Sequence, residues 1–145
     1  MRLDLYQQET ERLARDLQAM LDDVQQRLLQ QQTLSALEQA GVLHALQVLT
    51  ENAIGKAKLV IKQRGLAVPV SGYDAFAQLH RDGLISELGM REWTGAIGLR
   101  NRIVHDYLNV DMTLIEHLIK ERKYLLQVQF LLTSMEKLDS RSSRE

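Results

Sequence analysis

Residues 3–30 read LDLYQQETERLARDLQAMLDDVQQRLLQ, and their spacing decides the fold class. Leu3, Tyr6, Leu13, Leu17, Met20, Leu21, Val24 and Leu28 recur at steps of three and four, which is one apolar face of a long helix with Glu, Asp, Arg and Gln on the other. The same period resumes after a polar connection. Thr33 or Ser35 offers a cap for a second helix, and Glu38, three residues after Ser35, completes a capping-box pattern. This helix carries Leu37, Leu46, Leu49, Ala53, Ile54, Ala57, Val60 and Ile61 and stops near Gly65, with Gly41 loosening its first turns. Residues 65–72, Gly-Leu-Ala-Val-Pro-Val-Ser-Gly, are the clearest loop in the chain.

Beyond that loop the spacing predicts a short helix from Tyr73 to Asp82 that buries Phe76 and Leu79 and ends at Gly83. Ser86 caps a fourth helix with Met90, Trp93, Ile97 and Val104 on its apolar face, interrupted by Gly89, Gly95 and Gly98. Each interior glycine costs about 0.5–1 kcal/mol relative to alanine, so three together predict the close approach of another backbone, either within the chain or from a second subunit. Asp111 is the N-cap of a last helix running from Leu114 to Leu138. Long helices with short connections make an all-α, up-and-down bundle of four or five helices in one domain, residues 1–138, followed by a frayed, disordered polar tail at 139–145.

Composition narrows the function. Eighteen Lys and Arg against nineteen Asp and Glu give a net charge of −1, so no bulk positive field coats DNA, and contact with phosphate requires a local basic site. The chain has no cysteine, which excludes disulfides, thiolate metal sites and a thiol nucleophile. No apolar run reaches the ~20 residues of a membrane span, and the charged start does not read as a signal peptide, so a cytoplasmic location is expected. His44, His80 and His117 lack metal-ligand spacing and read as surface or interface residues. Lys120-Glu121-Arg122-Lys123 reads as a solvated face, and Trp93 as core or interface rather than a stacking platform.

One stretch differs from the rest: Gly98-Leu99-Arg100-Asn101-Arg102-Ile103-Val104-His105-Asp106-Tyr107-Leu108-Asn109-Val110-Asp111. On an unbroken helix Asn101 neighbours His105 and Arg100 neighbours Tyr107, whereas Arg100 and His105 lie roughly 140° apart. Those two share a site only if the helix loosens before Asp111 or a wide cleft takes both.

The block Arg100-x-x-x-x-His105-x-Tyr107, with Gly98-Leu99 before it and Val110-Asp111 after it, resembles the signature of the HepT family within the HEPN superfamily of small helical ribonucleases. The order of elements from about Leu34 to Leu132 is similar as well. The resemblance implies a homodimer whose motif segments face a shared cleft and a metal-independent endoribonuclease with no cofactor. His105 would be the base for the ribose 2′-OH, since an ordinary imidazole titrates at about 6.5. Arg100 would stabilise charge on the phosphate, its guanidinium presenting several fixed donors. Asn101 would orient His105 or bind phosphate, and Arg102 would extend the basic site, as would Lys56, Lys58 and Lys62 if their helix lines the cleft.

Tyr107 either packs beside the site or, as the resemblance implies, accepts AMP from an MntA-type minimal nucleotidyltransferase that silences a toxin. The resemblance implies an acidic residue near positions 54–56, where this chain has Ile54-Gly55-Lys56, so acidic support for the site either comes from Glu51 or is absent. The other function open to the sequence is a non-catalytic helical module serving as the binding subunit of such a nucleotidyltransferase. A structural dimer whose motif residues merely cap and pair is the third.

Overall fold

A computed structural model describes residues 2–140. Seven helices follow in chain order: α1 (Leu3–Leu29), α2 (Ala36–Gln63), α3 (Gly72–Arg81), α4 (Glu87–His105), α5 (Met112–Lys120), α6 (Leu125–Leu132) and α7 (Met135–Ser140). A 3-10 turn at Tyr107–Asn109 separates α4 from α5, and no strand occurs among the described residues. No helix there is long and apolar enough to cross a membrane.

The expected caps are chemically made: Ser35 accepts from the Glu38 backbone while Glu38 accepts from that of Ser35, and Ser86 and Asp111 accept from the amides of Gly89 and Thr113. The short helix expected from Tyr73 starts one residue earlier, at Gly72, because Ser71 caps it through the Asp74 amide. Helix α2 forms the spine. Its Leu49, Ala53, Ala57 and Ile61 are fully buried, and it packs against α1, α3, α4, α6 and α7, while α1 covers α5 and α6. Trp93 is core: it stacks on Phe76 at 4.1 Å between ring centroids and meets Phe130 edge-on at 5.2 Å. That cluster fixes the rotation of α4 about its own axis, and hence which of its faces remains open.

Four helices end alike. At Gln31, Gly65, Gly83 and Arg122 the backbone turns to φ +61°, +76°, +78° and +55°. In each case the next amide reaches back five residues, as Lys123 N–H does to the Leu118 carbonyl at 3.0 Å. The stop at Arg122 corrects the single last helix expected from Leu114 to Leu138, which is instead α5, α6 and α7. An arginine in this conformation costs about 1–2 kcal/mol. Its surroundings hold it there: Arg122 Nε and Nη2 donate to Asp22 on α1 at 3.1–3.2 Å, and the buried Tyr124 hydroxyl donates to the same carboxylate. The Lys120–Lys123 cluster is thus only partly a solvated face, because Arg122 is an anchor.

Burial acts to raise the Asp22 pKa, but the Tyr124 and Arg122 hydrogen bonds outweigh it and hold it below the carboxylate range. Burial first, and the Asp22 contact second, push the Tyr124 phenol up to about 12. The second break follows α6, where Thr133 is extended and Ser134 accepts from the Lys137 amide to start α7. Of the polar tail expected from residue 139, Asp139 and Ser140 close α7, with Asp139 paired to Arg64. Residues 141–145 lie outside the described residues.

Candidate active site

The apolar face of α4, with Trp93, Ile97 and Ile103 buried, turns Arg100 toward α2. Arg100 Nε and Nη2 donate to Glu51 Oε2 at 3.2 and 2.7 Å, and Nη1 donates to Asn101 Oδ1 at 3.1 Å. The guanidinium is therefore fixed on two sides by groups that fit its planar fork. Of the two alternatives for acidic support, Glu51 or none, the structure has Glu51, and the residue it supports is Arg100.

His105 is the last residue of α4 and is exposed. The helix runs regularly to it, so it does not loosen before His105, and the roughly 140° offset from Arg100 persists. By helix geometry the two lie on different sides of α4 and share a site only across a wide cleft. The break falls just after His105. Asp106 leaves helical geometry at φ −146°, ψ 46°, its amide donates to the Arg102 carbonyl at 2.8 Å, and Asn109 Nδ2 closes the turn on Asp106 Oδ1 at 2.7 Å.

That break takes Tyr107 off the helix, so the expected helical pairing of Arg100 with Tyr107 does not form. Tyr107 stands in the 3-10 turn instead, 49% exposed. Asn101 lies one turn before His105 on the same face, but its side-chain oxygen holds Arg100. Arg102 is exposed.

The three lysines of α2 separate. Lys56 is not at the site: it is fully buried, and its ammonium donates to the carbonyls of Phe130 at 2.9 Å, Leu131 at 3.0 Å and Thr133. It closes the end of α6, and burial pushes its pKa down to about 8. Lys58 does reach the site. It lines a polar cavity of about 470 Å³ together with Glu51, Tyr73, Arg100 and Asn101. Lys62 lines an adjoining hollow beside Lys58 and Asn52.

The close backbone approach expected at the α4 glycines is not made within the chain. A Cβ on Gly95 or Gly98 would meet no atom within 4 Å. Beside Gly95 a cavity of about 330 Å³ opens, walled by Leu99, Leu114 and Leu118. His44 and His117 are exposed, the latter 3.1 Å from Glu121, and His80 is half-buried. Among the described residues no group of three or more His, Asp or Glu side chains is placed to hold a metal ion.

A chain that is helical throughout its described residues, with a braced arginine in the fourth helix and an exposed histidine at that helix's end, has the build of a small helical ribonuclease-like domain. The family model described as ribonuclease HepT-like matches residues 10–129, and the chain belongs to that family. It is 30% identical over 82 residues to the mRNA nuclease HepT of Shewanella oneidensis; the match covers 57% of this chain and 62% of that protein's length.

Two solved structures share the fold. One is a toxin–antitoxin structure with AMP-PNP, of TM-score 0.72 and 20% identity, covering 86% of this chain and 96% of that one. The other is the tri-AMPylated Shewanella oneidensis HEPN toxin in complex with MNT antitoxin, of TM-score 0.68 and 22% identity, covering 90% and 96%.

Proposed function

We propose that this chain is a metal-independent endoribonuclease toxin acting in the cytoplasm, silenced by AMP addition to Tyr107 by an MntA-type minimal nucleotidyltransferase. The observation that carries the catalytic reading is the bracing of Arg100 by Glu51 and Asn101 one and a half turns before an exposed His105. His105 takes the proton from the ribose 2′-OH, whose oxygen attacks phosphorus. The bond to the 5′ oxygen breaks, that oxygen leaves with a proton, and a 2′,3′-cyclic phosphate remains. Arg100 stabilises the negative charge that gathers on the phosphoryl oxygens, and its fixed orientation means no reorganisation is needed as that charge develops.

The arrangement also calls for a second copy. With Arg100 and His105 on different sides of one helix, a two-fold dimer supplies a groove wide enough for both. The uncovered Gly95 and Gly98 and the apolar hollow at Leu99 and Leu114 support α4 and α5 as the surface that meets it.

Silencing rests on exposure. Tyr107 and Tyr73 are 49% and 47% exposed, whereas Tyr124 is 2% exposed and bonded to Asp22. Of the two accessible phenols, Tyr107 is the one two residues from the proposed base. Transfer of AMP from ATP forms a bond from the Tyr107 oxygen to phosphorus and releases pyrophosphate. The added charge then opposes a substrate phosphate, and the added bulk blocks its path.

The test is cleavage of single-stranded RNA by the purified chain in EDTA, scored by cyclic-phosphate ends. His105→Ala should lower the rate by about 10²–10⁴ while helicity and light-scattering mass stay unchanged. Full activity of that variant would show that His105 is not the base, and absence of cleavage by the unmutated chain would return it to a non-catalytic binding role. With a cognate nucleotidyltransferase and ATP, intact mass should rise by whole AMP units, and peptide mapping should place them on Tyr107. Tyr107→Phe should resist silencing. Silencing of the Phe variant, or AMP found on Tyr6, Tyr73 or Tyr124 instead, would exclude Tyr107 as the switch.

A further inference from the structure

The cavity of about 470 Å³ beside Arg100 has contents that cleavage itself does not require. Its volume is within the range of about 300–1,000 Å³ typical of small-ligand sites. Lys58 and Arg100 bring two cations to it against the single carboxylate of Glu51. The Lys58 ammonium has three donors, and the Val70 carbonyl takes one at 2.6 Å.

Tyr73 provides the one aromatic ring in the wall, and it is 47% exposed although the core nearby is already filled by Phe76 and Trp93. The backbone that carries the ring is set from beneath. Ser71 caps α3 at 3.0 Å, and Gly72 lies so close to α2 that a Cβ there would come within 2.6 Å of Ile54 Cδ1. A half-exposed aromatic ring lining one cavity with two cations is the combination that binds an unstacked nucleotide, base on ring and phosphate on ammonium.

We infer that this cavity is the subsite for the nucleotide adjoining the cleaved bond, with Tyr73 stacking its base and Lys58 binding its phosphate. The inference rests on the ribonuclease reading for its substrate, RNA, and adds to it the residues that hold the strand. Arg100 joins the two, since it faces the subsite while acting on the scissile phosphate. A stacking platform accepts any base, so the subsite selects single strands over duplex rather than one sequence over another.

The test measures binding apart from cleavage. In full-length protein carrying His105→Ala, fluorescence anisotropy with a labelled single-stranded RNA of about ten nucleotides should show Tyr73→Ala weakening Kd by about 5- to 100-fold. Tyr73→Phe and Tyr73→Trp should stay within about threefold, because they keep the ring. Lys58→Met should reduce the slope of log K against log salt by about 0.7, the loss of one single-strand phosphate contact.

Photo-cross-linking of 4-thiouridine RNA, mapped by mass spectrometry, should label Tyr73. If the chain with His105 intact cleaves RNA but Tyr73→Ala binds normally and cross-links map elsewhere, the subsite is wrong and the ribonuclease reading stands. If it fails to cleave yet RNA cross-links to Tyr73, the RNA-binding role of Tyr73 and Lys58 stands and the catalytic reading falls. If it neither cleaves nor binds RNA, both fall.

Discussion

The molecule holds two arginine–carboxylate pairs of nearly the same make and opposite surroundings. Arg122 meets Asp22 at 3.1 Å and Arg100 meets Glu51 at 2.7 Å, each through Nε and Nη2, and all four side chains are between a quarter and two-fifths exposed. The Arg122 pair sits on a helix break, and Asp22 also receives the buried Tyr124 hydroxyl, so its geometry is committed to joining α1 to the α5–α6 turn. The Arg100 pair lies mid-helix, where no break needs support, and it opens onto a polar cavity. Identical chemistry fastens a chain in one place and aims a cation in the other. Distance and exposure do not separate the two roles; what lies beyond the guanidinium does.

The sharpest way to break that contrast is to remove each member in turn. Arg100→Ala should reduce RNA cleavage by about 10²–10³-fold, the usual cost of losing a fixed charge stabiliser, while the thermal midpoint moves by only a few degrees. Arg100→Lys should restore little, because a point charge cannot reproduce two fixed donors on Glu51 and a third on Asn101. Single-turnover cleavage and calorimetry on the same samples decide this. A variant that loses stability and activity together would make Arg100 another fastening residue.

Glu51→Gln should act in the same direction but less. It removes the charge that orients Arg100 and leaves the arginine itself, so cleavage should drop by about 10- to 100-fold, chiefly in kcat, with KM for RNA little changed. Glu51→Asp should recover part of the loss. A rise in KM alone would mean that Glu51 serves binding and not alignment.

Asp22→Asn should have the smallest effect and of the other kind: about 1 kcal/mol of stability, a midpoint lower by ~4 °C, and unchanged cleavage. The pH dependence has a definite sign. The folded Asp22 carboxyl titrates below its ordinary value, so its contribution is present above about 3.9 and fades as pH falls through the lower folded value. The stability difference between wild type and Asp22→Asn should therefore shrink on acidification. A difference that held constant down to strong acid would show that ionisation of Asp22 contributes nothing.

These two pairs also mark what the amino-acid order discloses. The starts of α2, α4 and α5 were legible because Ser35, Ser86 and Asp111 cap through their own side chains, a local effect. The stops at Gly65 and Gly83 were legible because glycine enters positive φ freely. The stop at Arg122 was not, since an arginine carries no turn signal, and the partner that holds it there is Asp22, 100 residues away. Lys56 misled for a similar reason: its carbonyl partners at the end of α6 are 74–77 positions distant.

At the site, the residue types Arg100, Asn101 and His105 could be read from one stretch, but their relation could not. A regular helix to His105 keeps arginine and histidine on separate sides, and the break one residue later lifts Tyr107 away from Arg100. Tyr73 gave no signal beyond starting a helix. Its place beside Arg100 depends on Gly72 packing onto Ile54 across two helices.

The buried Lys56 makes the chain its own clock. An amine enclosed by three carbonyls is out of reach of an acylating reagent in the closed molecule, so it reacts only during the moments when α6 lifts from α2. Exposed Lys120 reacts continuously in the same tube and serves as the reference. Where reclosing is faster than labelling, the ratio of the two rates, corrected for intrinsic amine reactivity in the unfolded chain and read by mass spectrometry, is the fraction of time the α6 end stands open, measured on unmutated protein without denaturant or heat.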